Sequence, residues 1–122
     1  MAIKVLVVDD DRDVAESLGM VLEGLDCEVD IAFSGDQAVA RFREASYDLT
    51  LLDVRLPGRN GVEVFRELRA LCPTCPVAFV TGYSASSLLD DAQDLGALAV
   101  LDKPVELSRL QAILADVSAH GR

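Results

Sequence analysis

Along the chain, short apolar runs alternate five times with stretches whose apolar positions recur every three to four residues. The runs are Ile3–Val8, Cys27–Phe33, Leu49–Asp53, Val77–Thr81 and Ala97–Leu101. Val, Leu, Ile and Phe dominate most of them, with little polar alternation. Strands of that kind are buried on both faces, so the pattern predicts a parallel sheet covered by helices. The intervening stripes can each lay one helical face on that sheet. They are Val14, Leu18, Val21, Leu22 and Leu25; Ala38, Val39 and Phe42; Val64, Phe65, Leu68 and Leu71; a weaker set at Leu88, Leu89, Ala92 and Leu95; and Leu107, Leu110, Leu114 and Val117. Ser34 and Ser108 stand near helix starts and Gly96 near a helix end. Pro57-Gly58 and Asn60-Gly61 mark a turn between the third strand and third helix. Strict alternation with connections of this length predicts an α/β fold, a (βα)5 doubly wound five-stranded parallel sheet, with residues 1–122 forming one domain.

Composition narrows the function. At 51% apolar and 26% charged residues the chain can bury a core, and disorder is disfavoured. Eleven basic residues against twenty-one acidic ones leave a net charge of −10. Such a surface repels phosphate backbones and anionic membranes, which argues against direct nucleic-acid or membrane binding. The apolar run Val5–Val8 is cut off by Asp9, Asp10 and Asp11, so neither a membrane span nor a signal peptide is expected. Three cysteines without an export signal point to a reducing cytoplasm.

In doubly wound folds, ligands bind outside the carboxyl ends of the strands. Here those ends carry Asp9-Asp10, followed by Asp11, then Asp53, Thr81 and Asp102-Lys103-Pro104. Carboxylates crowded where water is partly excluded oppose one another. One of them can hold a proton, a divalent cation can bind, or Lys103 can neutralise part of the charge. An oxygen-only donor set suits Mg²⁺. A hard cation and an ammonium beside an exposed aspartate also meet the needs of phosphoryl transfer, in which an Asp side chain attacks phosphorus to form an aspartyl phosphate.

VLVVDDD at Val5–Asp11, LLDVRLPGRNG at Leu51–Gly61, VTGY at Val80–Tyr83 and LDKP at Leu101–Pro104 together resemble the receiver domains of two-component response regulators, the CheY-like superfamily within the flavodoxin-like folds. The resemblance runs through essentially the whole chain. It implies that Asp53 is the phosphoacceptor, that Asp10 ligates Mg²⁺ directly, and that Asp9 acts more through metal-bound water. Asp53 and the Arg55 backbone carbonyl would supply further metal ligands. Thr81 would hydrogen-bond a phosphoryl oxygen and Lys103 would pair with another, with the bond to Pro104 often cis in the family. The implied partners are a sensor histidine kinase or histidine phosphotransfer protein, and an output partner or fused effector domain. A phosphorylation-dependent homodimer is a further implied state. The donor histidine must come from outside, because His120 is the sole histidine.

Three positions depart from the family pattern or vary within it. Val100 stands where the family usually has Tyr or Phe, so switching would use another element or be weaker. Arg55 and Tyr83, two residues beyond Asp53 and Thr81, either tune loss of the phosphoryl group or are exposed rim residues. Asp11 is expected to cap the first helix rather than join the metal site. Asp90, Asp91 and Asp94 read as a solvated helix face, and Gly58 and Gly61 as turn residues.

Cys72-Pro-Thr-Cys75 has C-x-x-C spacing, but zinc would lack a second ligand pair, and a thioredoxin-like site would lie at a helix start. It is expected to be a loop with two ordinary cysteines. Three further readings remain. A degenerate receiver would be a phosphorylation-independent interaction module. An aspartate-nucleophile phosphatase would want an acid where Arg55 stands. A flavodoxin-like FMN carrier would want a Ser/Thr/Gly-rich first loop where three aspartates stand.

Overall fold

The computed structural model describes residues 2–56, 58–82 and 96–120. Strands β1 (Lys4–Val8), β2 (Glu28–Ala32), β3 (Leu49–Asp53), β6 (Val77–Thr81) and β7 (Ala99–Asp102) form a parallel sheet in the order β2-β1-β3-β6-β7. A small antiparallel hairpin, β4 (Arg55–Leu56) and β5 (Arg59–Asn60), follows β3. The helices are α1 (Arg12–Gly24), α2 (Gly35–Glu44), α3 (Gly61–Leu71) and α4 (Leu107–His120). The weak stripe at Leu88–Leu95, the acidic face at Asp90, Asp91 and Asp94, Tyr83 and Pro57 lie outside the described residues.

The core has two halves. Val5, Val7, Leu49, Leu51 and Val80 on one face of the sheet pack with Ala15 and Leu22 of α1 and Leu110, Ile113, Leu114 and Val117 of α4. Leu6, Val8, Leu52 and Phe79 on the other pack with Ala38 and Val39 of α2 and Val64, Phe65 and Leu68 of α3. The central strands β1, β3 and β6 are therefore apolar on both faces, as the runs predicted. The edge strand β2 has a partner on one side only and keeps a more exposed, mixed sequence.

Several local expectations need correction. In α1 the residues fully buried are Ala15, Gly19 and Leu22, whereas Val21 is 42% exposed and Val14 and Leu18 are only partly covered. Small residues let this helix approach β2 closely: a Cβ on Gly19 would touch Val29 and Ile31 at 3.5 Å. Leu71 and Leu107, the outer members of their stripes, are exposed. Ser34 and Ser108 do stand near helix starts: Ser34 caps α2 by accepting from the Gln37 amide at 3.1 Å, and Ser108 lies in the first turn of α4.

The two loop cysteines also differ from expectation. Cys72 leaves α3 in an extended conformation, and the Cys75 amide turns back to the Cys72 carbonyl at 3.3 Å. This brings the two Cα atoms to 5.5 Å, and the pair is a disulfide rather than two ordinary loop cysteines.

Candidate functional site

Register builds the site. Val8 pairs with Leu52, so Asp9 and Asp53, each one residue further on, leave neighbouring strands side by side. The chain runs from β1 outward to β2 and then crosses to β3, which makes this the point where winding reverses and a crevice opens. On the other side of β3, Asp53 pairs with Val80, and Thr81 pairs with Asp102 of β7. Lys103 follows Asp102, and its peptide bond to Pro104 is cis.

The turn after β3 depends on Gly61. A Cβ there would lie 2.6 Å from the Asp53 carbonyl oxygen and 2.7 Å from the Val54 Cα. Without one, the Gly61 amide donates to the Val54 carbonyl at 2.7 Å, and α3 starts directly against the end of β3. Asn60 caps that helix by accepting from the Glu63 amide at 2.9 Å, while its own amide donates back to the Glu63 carboxylate at 3.1 Å. Gly58 takes a φ of 73° in the hairpin. Thus Gly58 is a turn residue in the ordinary sense, whereas Gly61 is required by close approach.

Asp9, Asp53 and Thr81 are buried, Asp10 is exposed, and Lys103 is half-buried. The Lys103 ammonium lies 2.7 Å from Asp9 Oδ2 and donates to Asp53 Oδ2 at 3.0 Å. Asp53 Oδ1 accepts from the Arg55 amide at 3.0 Å, while the Arg55 side chain faces outward. Asp9 Oδ1 accepts from the Asp11 amide at 2.9 Å. Asp11 itself caps α1, accepting from the Val14 amide at 3.2 Å, as expected.

Burial pushes the Asp53 carboxyl above its usual range. The Asp9 charge adds to the rise, and hydrogen bonds from the Arg55 amide and Lys103 work against it. Burial pulls Lys103 down, but its hydrogen bonds to Asp9 and Asp53 and their charges outweigh that, leaving it above its ordinary value. The site therefore favours a charged lysine beside an aspartate that resists ionising.

Carboxylate oxygens of Asp9, Asp10 and Asp53 lie within 4.8 Å of one another and form a group able to hold a metal ion. Of the expected site residues, the structure thus brings Asp9, Asp10, Asp53 and Lys103 together. It places Thr81 at the neighbouring strand end and Arg55 two residues beyond Asp53.

The chain matches the family model for the response regulator receiver domain over residues 5–115. It belongs to that family. The Escherichia coli K12 transcriptional regulatory protein ZraR is 40% identical over 118 residues, which cover 97% of this chain and 27% of ZraR. A response regulator receiver protein of Anaeromyxobacter is 40% identical over 105 residues, covering 86% of this chain and 44% of that protein. The receiver therefore spans between about a quarter and half the length of these relatives. A putative response regulator from Chloroflexus aurantiacus superposes with a TM-score of 0.90 at 32% identity, covering 98% of this chain and 100% of that one. The CheY-like receiver domain protein of Methanospirillum hungatei superposes with a TM-score of 0.90 at 28% identity, with 98% and 96% coverage. The receiver is accordingly a module of two-component signalling, and its fold is the five-stranded parallel arrangement the sequence predicted.

Sequence reasoning missed two supports of the site. Asn60 followed three residues later by Glu63 is a legible capping pattern at the start of α3. Arg59 was not legible. It pairs with Asp36 of α2 at 3.0 Å and with Glu67 of α3, tying both helices to the hairpin after Asp53.

Proposed function

We propose that this receiver accepts a phosphoryl group on Asp53 from the phosphohistidine of a sensor histidine kinase or histidine phosphotransfer protein. The observation that carries the reading is the convergence of Lys103, Asp9, Asp10 and Asp53 at the switch point of the sheet. Oxygen-only donors in a half-open rim suit Mg²⁺; Asp10, Asp53 and the Arg55 carbonyl would hold it directly, and Asp9 would act more through bound water. When bound, Mg²⁺ supplies charge neutralisation at the transferring phosphoryl oxygens.

An Asp53 carboxylate oxygen attacks phosphorus in line. The P–N bond to the donor imidazole breaks as the P–O bond to Asp53 forms, and the imidazole leaves. Lys103 stays within reach to pair with one phosphoryl oxygen, and the Thr81 hydroxyl binds another. Contacts made only in the phosphorylated state shift the conformational balance, because a bound group moves an equilibrium only by its differential interaction with the two states. With Val100 in β7, the shift travels through backbone and loop contacts rather than through an aromatic ring.

Residues 1–122 act as one receiver domain. Its output is a partner or a fused effector, with a phosphorylation-dependent homodimer as one form of that output. The compartment is the cytoplasm, and no direct contact with nucleic acid or membrane is assigned to this acidic surface. Among the described residues, no helix is long and apolar enough to cross a membrane. The chemistry is phosphoacceptance and slow self-dephosphorylation, not turnover of a metabolite.

The test is labelling from a phosphohistidine donor with and without Mg²⁺, followed by mapping of the modified residue. Acid-stable, base-labile incorporation that requires Mg²⁺ and vanishes in Asp53→Asn is expected. Incorporation that persists in Asp53→Asn overturns the assignment.

A further inference from the structure

We propose that Cys72 and Cys75 form a reversible dithiol–disulfide site, and that its oxidised state fixes the α3–β6 loop to Gly96 through Arg69. The site lies at the amino end of β6, away from the strand ends that carry Asp53 and Thr81. Both cysteines are half-buried, and Pro73 and Thr74 between them are exposed, so small reagents can reach the bond. A cavity of about 370 Å³ opens beside Cys75 and is lined by Tyr47, Asp48, Thr74, Leu98 and Asp116 among others. Cys27 is buried elsewhere and takes no part.

Arg69 makes the loop more than a local turn. Its Nη1 donates to the Pro73 carbonyl at 2.8 Å and to the Cys75 carbonyl at 3.1 Å. Its Nη2 donates to the Gly96 carbonyl at 3.0 Å, and the guanidinium lies over the Phe65 ring. One cation thus joins the end of α3, the disulfide loop and the residue that leads into β7. Gly96 has a φ of 86°, and two residues later the Leu98 amide donates to the Val77 carbonyl at 2.8 Å. Two of the guanidinium's acceptors belong to backbone that the disulfide closes. Opening the bond frees that backbone and loosens the grip on Gly96.

The co-reactant class is a small disulfide. One cysteine thiolate attacks a sulfur of the reagent and releases one small thiol. The second cysteine then displaces the other half as a second thiol, leaving the Cys72–Cys75 bond. The protein loses two electrons and two protons, and the reagent is reduced by the same amount.

The test equilibrates the full chain with cystamine and cysteamine, or with oxidised and reduced glutathione, traps free thiols by alkylation and reads masses. Expected is interconversion, with either couple, between a form alkylated at Cys72 and Cys75 and one in which the two are joined, with Cys27 reading the same in both. Amide exchange at Leu98 should quicken about tenfold or more on reduction. In C72S/C75S it should be fast under both conditions. In Arg69→Gln it should be fast in both states while the disulfide still forms. Mixed disulfides in place of the internal bond overturn the site. Leu98 exchange that ignores redox state, or still follows it in Arg69→Gln, overturns the coupling.

Discussion

Lys103 and Asp53 are fifty positions apart in the chain, yet the ammonium of one donates to the carboxylate of the other at 3.0 Å. The same nitrogen lies 2.7 Å from Asp9, so one cation is shared by two buried acids from neighbouring strands. Two carboxylates pulling on one lysine leave a net negative rim, which Asp10 extends to the surface.

Removing the Asp53 charge should stabilise the metal-free protein at neutral pH. Asp53 is held above its ordinary value near 3.8, chiefly by burial. The folded chain therefore binds that proton more tightly than the unfolded chain. This stabilisation is complete below the ordinary value and is lost as pH rises through the raised one. Urea midpoints for Asp53→Asn should exceed those of the native protein at pH 7, with the gap closing toward pH 4. Added Mg²⁺ should raise the native midpoint more than the variant's.

Loss of Lys103 should have the opposite sign. Lys103→Met leaves Asp9 and Asp53 without their shared cation and should cost about 1.5–3 kcal/mol without metal, the worth of hydrogen bonds to charged groups. Denaturant unfolding with and without Mg²⁺ measures this, and part of the loss should return with the ion.

Three glycines should separate steric from conformational need. Gly61→Ala forces a Cβ against the Asp53 carbonyl and the Val54 Cα, and should cost about 1–3 kcal/mol. Gly58→Ala meets no atom within 4 Å among the described residues but keeps a positive φ, and should cost about 1–2 kcal/mol. Gly24→Ala has open space at the end of α1 and should be neutral or stabilising by up to about 1 kcal/mol. Equilibrium unfolding of the three variants should give that order.

Tyr47 should make the fold sensitive to alkali. Burial, and then its 2.6 Å hydrogen bond to Asp30, hold the phenol above its ordinary value of 10. The folded state keeps a proton that the unfolded chain gives up, so this contribution is full below pH 10 and falls as pH rises above it. Tyr47→Phe should cost about 1 kcal/mol at neutral pH and remove that alkaline loss, as read from thermal midpoints across pH 9–12.

The strands, the stripes of α2 and α3, and the acids at the strand ends were legible because burial on both faces and helical spacing leave their marks locally. Asp11 as a cap and the cluster of Asp9, Asp10 and Asp53 also followed from position and charge alone. The face that α1 buries was legible only in part: Leu18, Leu22 and Leu25 lie on it, but Ala15 and Gly19 are small and carry no strong apolar signal. The Cys72–Cys75 bond depended on how Cys72 leaves its helix. Arg59 and Arg69 looked like any surface arginines, since their partners come from segments that only folding brings near.

The order of residues along the chain thus determined which segments become strands and helices and which chemical groups stand at the strand ends. Tertiary structure decided the contacts themselves: one lysine shared by two aspartates, a glycine pressed against a carbonyl, an arginine holding a loop to Gly96. Periodicity is a property of neighbours in sequence, whereas distances across a sheet are set by register and crossover, which no local pattern records.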